Sequence, residues 1–192
     1  MMINTSLFDA ATICLTALDA KEDSPALAKW TQDGRYIPLA DNAPPHPMSA
    51  AQAKKMLDGL LKEADEKRNT FWFGIRTLDQ TELLGVTGLS WVDWSNGSAT
   101  MELSMKELAE YGQPSVEETL ALMQRFTFHE LQMHRLSLTV PAYNESLITV
   151  LQRIGFAEEV RHREVAYRFG RRWDSLQFGI LAADWLKGKA DA

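Results

Sequence analysis

Histidine and cysteine, the side chains that most often ligate metals or act as nucleophiles, are few in this chain and poorly spaced. There are four histidines and one cysteine. His129 and His134 are five residues apart, whereas two ligands on one helix face are three or four apart. His46 and His162 lack neighbours that suggest ligation. Cys14 lies in an apolar run and is typical of a buried hydrophobic side chain. The sequence therefore predicts neither a metal site nor a cysteine nucleophile.

Other recognisable chemical motifs are missing. The sequence contains no nucleophile elbow, no phosphate-binding P-loop and no zinc spacing. The formal net charge of −6 argues against broad contact with a nucleic-acid backbone, which requires a basic face. We expect no nucleic-acid partner.

The composition is that of an ordinary soluble protein. With a single cysteine there can be no disulfide within the chain, and a reducing compartment is favoured. No apolar run approaches the length of a membrane span, and the first residues lack the layout of a signal peptide. We expect a cytoplasmic protein with no membrane partner, forming one domain over residues 1–192.

A carboxylate and a hydroxyl share one face of a predicted strand, Ser98–Met105. Glu102 and Ser104 alternate there with the apolar Leu103 and Met105. The Asn-Gly pair just before this strand predicts a hairpin with the preceding strand, Leu83–Trp94. These side chains therefore lie on a strand with one polar and one apolar face.

The remaining elements come from apolar spacing and cap signals. Ser49 and Gln52 form a capping box before a helix that runs to about Lys67. Ser115 with Glu118 predicts a second capping box. Asn144 is expected to cap a later helix that Gly155 closes. The other segments are a strand within Ala11–Leu18, a helix over Ser24–Gln32, and strands over Phe71–Thr77, Arg135–Pro141, Ala157–Phe169 and Trp173–Leu181.

This order predicts an α/β to α+β fold, with a mixed, mostly antiparallel central sheet and helices on both faces. It resembles the GNAT superfamily of N-acetyltransferases, and most closely the branch of ribosomal-protein N-terminal acetyltransferases. The resemblance extends from about Leu15 to Trp185. Its most specific parts are His134-Arg135-Leu136, Tyr143-Asn144-Glu145, Gly155-Phe156, Arg163-Glu164, Tyr167-Arg168, Gly170-Arg171 and Asp174.

The resemblance implies a co-substrate, acetyl-CoA, held where the sheet splays between its fourth and fifth strands. An unpaired strand edge offers donors and acceptors to the amide-rich pantetheine arm. By resemblance, the main chains of Met105 and Lys106 would make these contacts, and Asn144 would contact the cofactor or act only as a helix cap. The pyrophosphate would lie on backbone amides at the start of the next helix.

The phosphate loop implied by the resemblance departs from the family pattern. The family has Gln or Arg, two residues, Gly, one residue, then Gly or Ala, and this chain has Tyr111, Pro114 and Val116 at those positions. Proline removes an amide donor, and valine adds bulk. Glu117 adds negative charge. The loop residues expected to hold the cofactor are Gly112, Gln113, Ser115 and Val116. The alternative is an ordinary helix start.

The resemblance also implies roles in catalysis. Glu102, with Ser104 beside it, would be the base or would position a water, because a protonated amine cannot attack a thioester. The alternative is a structural carboxylate. A tyrosine that protonates the leaving thiolate in many relatives is Leu151 here.

Two functions follow. One is transfer of an acetyl group from acetyl-CoA to a primary amine, either a peptide N-terminus or a small molecule, by direct attack in a ternary complex. The other is a GNAT-fold binding or regulatory protein that has lost acetyl transfer. Homodimers are common in the family that the chain resembles, and the C-terminal hairpin is the candidate interface, but the sequence leaves the oligomeric state open.

Overall fold

A computed structural model describes residues 6–34, 36 and 46–190, without the side chains of the last two. Within them the chain forms one seven-stranded sheet with the order β1-β2-β3-β4-β5-β7-β6. Neighbouring strands are antiparallel except β4 and β5, which are parallel. The strands are β1 (Ile13–Ala17), β2 (Phe71–Thr77), β3 (Leu83–Asp93), β4 (Ser98–Met105), β5 (Arg135–Pro141), β6 (Ala157–Arg168) and β7 (Arg171–Leu181).

Five α-helices accompany the sheet in the part of the chain described. They are α1 (Ala20–Thr31), α2 (Ala50–Lys67), α3 (Pro114–Arg125), α4 (Glu145–Arg153) and α5 (Ala182–Ala190). A 3₁₀ turn, Leu108–Gly112, precedes α3, and a π-helical turn, Phe126–Glu130, extends it. None of the helices among the described residues is long and apolar enough to cross a membrane.

The helices pack on both faces of the sheet, as predicted. Leu27 of α1 and Leu57 of α2 belong to one apolar cluster, together with Leu83 of β3. Leu120 of α3 and Leu147 of α4 belong to the larger cluster on the opposite face. Because strand side chains alternate between the two faces of the sheet, they contribute to both apolar clusters. The predicted mixed α/β architecture is confirmed.

The cap signals explain where two helices begin. Ser49 Oγ accepts from the Gln52 amide at 3.3 Å, while Gln52 Oε1 accepts from the Ser49 amide at 2.8 Å. This capping box was predicted and is confirmed. The start predicted for α1 at Ser24 was wrong, because Asp19 caps the helix by accepting from the amides of Lys21 and Glu22.

The contact between β4 and β5 is short, and this shapes the middle of the sheet. Ser98, Ala99 and Thr100 pair with Arg135, Leu136 and Ser137. Beyond Thr100 the two strands no longer pair, although both continue. The space beyond Thr100 and Ser137 is here called the β4–β5 gap, and Met101–Met105 is called the free edge of β4. The predicted splay between the fourth and fifth strands is confirmed.

Candidate functional site

The free edge of β4 presents backbone groups to the β4–β5 gap. The Lys106 amide donates to the Leu84 carbonyl of β3 at 2.9 Å. In an antiparallel pair, alternate residues point their N–H and C=O groups to opposite sides. Met105 and Leu103 therefore direct these groups away from β3, into the gap. The Lys106 amide, predicted to contact cofactor, is already used within the sheet.

Tyr111 occupies this edge. Its hydroxyl accepts from the Met105 amide at 3.1 Å and donates to the Leu103 carbonyl at 3.4 Å. The side chain is fully buried, and burial raises the pKa of its phenol above the ordinary value. The sequence identified Tyr111 only as a departure in the phosphate loop. Its side chain in fact reaches the position where the resemblance puts the pantetheine arm.

The 3₁₀ turn Leu108–Gly112 carries Tyr111 from the end of β4 to α3. At its start, Lys106 Nζ lies 2.9 Å from Glu82 and 3.6 Å from Glu110. Burial lowers the pKa of Lys106, but the carboxylates of Glu82, Glu110 and Glu107 outweigh it and leave the pKa above its ordinary value. At its end, Gly112 is exposed and faces Ser146 at the start of α4.

The second predicted capping box was wrong. The helix begins at Pro114, Gln113 is its N-cap, and no side chain caps it. Proline at the first helical position fixes the entry angle, which places Ser115 inside the helix. Glu118 accepts instead from the amide and hydroxyl of Thr12, both at 2.9 Å. Glu118 thus bonds to a residue 106 positions away and not to the start of its own helix, which the spacing of the sequence does not predict.

The amides at the start of α3 are largely used within the chain. The Gln113 amide donates to the Glu110 carbonyl at 2.9 Å, and the Val116 amide to the Gln113 carbonyl at 3.1 Å. Pro114 has no amide hydrogen. Of residues 113–116, at most the Ser115 amide is left for an anion. The Val116 side chain packs in the core and does not obstruct this surface.

The charge of Glu117 has a counterion. Its carboxylate pairs with the guanidinium of Arg153 at the end of α4. The negative charge that the sequence placed beside the phosphate loop is thus accompanied by a cation. Both side chains remain partly exposed, so a phosphate could compete for the guanidinium.

Asn144 caps α4, as predicted. Its Oδ1 accepts from the Leu147 backbone amide at 3.3 Å, and the backbone amide of Asn144 donates to the Pro141 carbonyl at 2.9 Å. The side chain is only 2% exposed, at the end of β5. Leu151, about two turns further along α4, is completely buried in the core. No polar group replaces the missing tyrosine at that position.

Glu102 and Ser104 lie on the face of β4 opposite the larger core. Ser104 pairs with Val86, which packs against the α1 and α2 cluster. Directly opposed residues share a face, so Glu102 and Ser104 project toward α1 and α2. Glu102 is half-buried, and its carboxylate has no hydrogen-bond or ion-pair partner among the described residues.

A groove opens on this same face near the end of β4. Its volume is about 390 Å³, and it lies between the end of α1, the β2–β3 turn and the residues after β4. Its charged lining residues are Lys29, Asp33, Glu82, Lys106 and Glu107, and Trp30 also lines it. Glu102 lies four residues before Lys106, about 13 Å along the strand.

The family model of the acetyltransferase (GNAT) domain matches residues 12–157. This is well over half of the chain and spans β1 through α4, including both sides of the β4–β5 gap. The chain belongs to the GNAT acetyltransferase family. The narrower resemblance to the ribosomal-protein branch stays a prediction.

Solved structures share the fold of this GNAT domain. A probable acetyltransferase is 20% identical with a TM-score of 0.75, and the match covers 96% of this chain and 100% of the other. The spermidine N-acetyltransferase of Vibrio cholerae in complex with CoA and spermine is 19% identical with a TM-score of 0.73, covering 91% and 98%. A dodecameric structure of the Vibrio cholerae enzyme is 18% identical with a TM-score of 0.71, covering 92% and 97%. The comparison with curated proteins gives no match.

Proposed function

We propose that this GNAT-family protein transfers an acetyl group from acetyl-CoA to a primary amine. The observation that carries the proposal is the free edge of β4 in a chain of this family. Met105 and Leu103 direct an N–H donor and a C=O acceptor into the gap. A pantetheine arm, with its two amide groups, is a suitable ligand for such an edge.

The reaction needs a proton acceptor on the amine side, and Glu102 is the candidate. The ammonium form of the acceptor gives a proton to the Glu102 carboxylate, directly or through a water, with Ser104 beside it. The neutral nitrogen then attacks the thioester carbonyl, and the C–N bond forms as the C–S bond breaks. The nitrogen loses its extra proton to water, which balances the proton that the departing thiolate takes up. Because Leu151 is apolar and buried, solvent protonates the departing thiolate.

Glu102 also fixes the side from which the acceptor approaches. Its carboxylate projects toward α1 and α2, so the amine arrives on that face rather than through the larger core. The groove near Lys106 lies on the same face and could hold the rest of a long acceptor. Its lining has three carboxylates, Asp33, Glu82 and Glu107, against two lysines, Lys29 and Lys106, so its charge favours a cationic molecule by only one unit.

A direct assay tests acetyl transfer. Purified protein and acetyl-CoA are mixed with spermidine, with peptides bearing free N-termini and with an aminoglycoside, while free CoA thiol is monitored. Acetylated products are identified by mass spectrometry. We expect transfer to at least one amine class, and loss of most transfer in Glu102→Gln. Thiol release without an acetylated product would contradict amine acetylation.

Binding without transfer is a second candidate, and Tyr111 favours it. In the structure, the phenol takes the backbone groups that a cofactor needs, and Pro114 removes a phosphate-binding amide. A protein with these features could keep the fold and bind another partner. This candidate predicts no binding of acetyl-CoA at millimolar concentration, whereas acetyl transfer requires binding.

Self-association through the C-terminal hairpin is part of the proposal. β6 is the last strand of the sheet and is exposed along nearly all of its length. Val160, Val165 and Tyr167 are exposed apolar residues on it. An edge strand with exposed apolar side chains is suited to pairing with a second copy. Light scattering should give a dimer, and Val160→Lys should shift it toward monomer; a wild-type monomer would contradict this.

A further inference from the structure

The free edge of β4 is closed by the protein's own side chain. Tyr111 Oη satisfies the Met105 amide and the Leu103 carbonyl together, and the ring has no exposed surface. A ligand that pairs with this edge must break both hydrogen bonds. The tyrosine hydroxyl, with one donor and acceptor lone pairs, matches the edge as an amide would.

We propose that Tyr111 is a gate that competes with the pantetheine arm of acetyl-CoA for the free edge of β4. The proposal rests on the proposed function, because it assigns the gap to that cofactor. In the free protein the phenol holds the edge. Cofactor binding displaces it, and the affinity measured is the intrinsic affinity reduced by the stability of the closed arrangement.

The segment that carries Tyr111 is suited to such a displacement. It is a single 3₁₀ turn of five residues. Its backbone bonds run from the Glu110 amide to the Glu107 carbonyl at 3.1 Å and from the Gln113 amide to the Glu110 carbonyl at 2.9 Å, and Glu110 pairs with Lys106 at 3.6 Å. Short 3₁₀ segments have weaker hydrogen-bond geometry than α-helices. The turn lies between β4 and Pro114, where α3 begins, so it can move without unwinding either element.

Removal of the hydroxyl separates the gate from the packing of the ring. Tyr111→Phe keeps the ring but leaves the closed state without its two hydrogen bonds. The substitution removes little stability from the open, cofactor-bound state, because in that state the hydroxyl would be hydrated by solvent. We expect acetyl-CoA to bind about tenfold more tightly, the equivalent of one ordinary hydrogen bond. Tyr111→Leu, which also removes bulk, should bind at least as tightly.

Fragments of the cofactor show whether the effect is local. Calorimetry compares acetyl-CoA, 4′-phosphopantetheine and 3′,5′-ADP on the full-length wild-type and variant proteins. The gate predicts tighter binding of the first two ligands in Tyr111→Phe and unchanged binding of 3′,5′-ADP, which does not reach the strand edge. Val92→Ala, a core variant at the far end of β3, is the control for general loosening. It should change none of the affinities.

Each outcome bears on the gate. Tighter pantetheine binding in both Tyr111 variants supports it. Equal binding by wild type and variants overturns the gate but leaves the proposed function intact. Binding only by the variants supports the gate and overturns wild-type acetyl transfer. Absence of binding by every protein overturns both, and thermal unfolding of each variant confirms that it is folded.

Discussion

The phenol of Tyr111 and the amide of Met105 are hydrogen-bonded at 3.1 Å across a chain reversal of only six residues. The bond links the loop expected to hold phosphate with the strand edge expected to hold pantetheine. Two halves of one cofactor site are therefore coupled in the free protein. Displacement of the whole Tyr111 side chain should therefore also move the turn before α3, whereas loss of the hydroxyl alone should alter only the strand edge.

Burial of Tyr111 makes folding stability depend on alkaline pH. Its pKa is raised in the folded state above the ordinary value of 10.0, so the folded state favours the neutral phenol. The stability that this provides is complete below pH 10 and decreases as the pH rises above it, where the unfolded chain ionises. At one pH unit above 10, the free energy of unfolding of wild type should have fallen by about 1.4 kcal/mol more than that of Tyr111→Phe. Urea unfolding at several pH values measures this.

The control is an exposed tyrosine. In a single protomer Tyr167 is 61% exposed, so at a protein concentration that keeps the chain monomeric Tyr167→Phe should follow the wild-type pH dependence. A parallel loss of stability in wild type and Tyr111→Phe would show that the phenol ionises equally well in the folded protein, and thus that the hydroxyl is not enclosed.

Glu102→Gln should separate chemistry from binding. The amide has nearly the same shape but cannot accept the amine proton at neutral pH. We expect kcat to fall by about 10²-fold or more, with KM for acetyl-CoA unchanged. The matched control is Glu66→Gln, which alters an exposed carboxylate on α2. If kcat of Glu102→Gln stays close to that of wild type, Glu102 is a structural carboxylate.

Asn144 has a confirmed role as a cap and a proposed role in cofactor binding, and two substitutions distinguish them. Asn144→Ala removes the bond to the Leu147 amide and should cost about 1 kcal/mol of unfolding free energy. Asn144→Ser keeps a cap but shortens the side chain. We expect the serine variant to retain stability and to bind acetyl-CoA more weakly. Full affinity in this variant would leave Asn144 as a cap only.

Pro114→Ala should strengthen contact with phosphate. The substitution restores one amide donor at the start of α3, where the helix dipole favours an anion. We expect 3′,5′-ADP and acetyl-CoA to bind several-fold more tightly, at about the value of one hydrogen bond. Pro25→Ala restores an amide in α1 and should leave both affinities unchanged. Equal affinities of Pro114→Ala and wild type would place the phosphate elsewhere.

Local signals predicted most of the framework. The capping box of Ser49 with Gln52, the Asn144 cap and the glycine at the end of α4 depend on neighbours in sequence, and all three are present. The Gly155 backbone has the positive φ of 95° that this position needs. The family resemblance rested on the order of the elements and on short motifs such as Tyr143-Asn144-Glu145, and the splay of the sheet was implied by that resemblance.

Two features that the sequence did not predict depend on how the chain folds back on itself. Glu118 bonds to Thr12 rather than capping its own helix, and Tyr111 turns inward to β4. Residue spacing does not predict either hydrogen-bond partner, because each partner comes within reach only when the chain is folded. Helix α5 was missed because its nine residues include Gly188 and follow β7 directly, with no turn or cap signal between the two elements. The candidate cofactor site could thus be located, but its closed state could not.

The amide resonance of Met105 offers the most direct test of the account. Uniformly ¹⁵N-labelled protein is titrated with acetyl-CoA, and the amide shifts of β4 are followed. We predict that Met105 shifts strongly as its bond to Tyr111 is replaced by one to the cofactor, while the Lys106 amide, bonded to Leu84, changes less. An unchanged Met105 resonance at saturating or millimolar acetyl-CoA would contradict the assignment of this edge as the cofactor site.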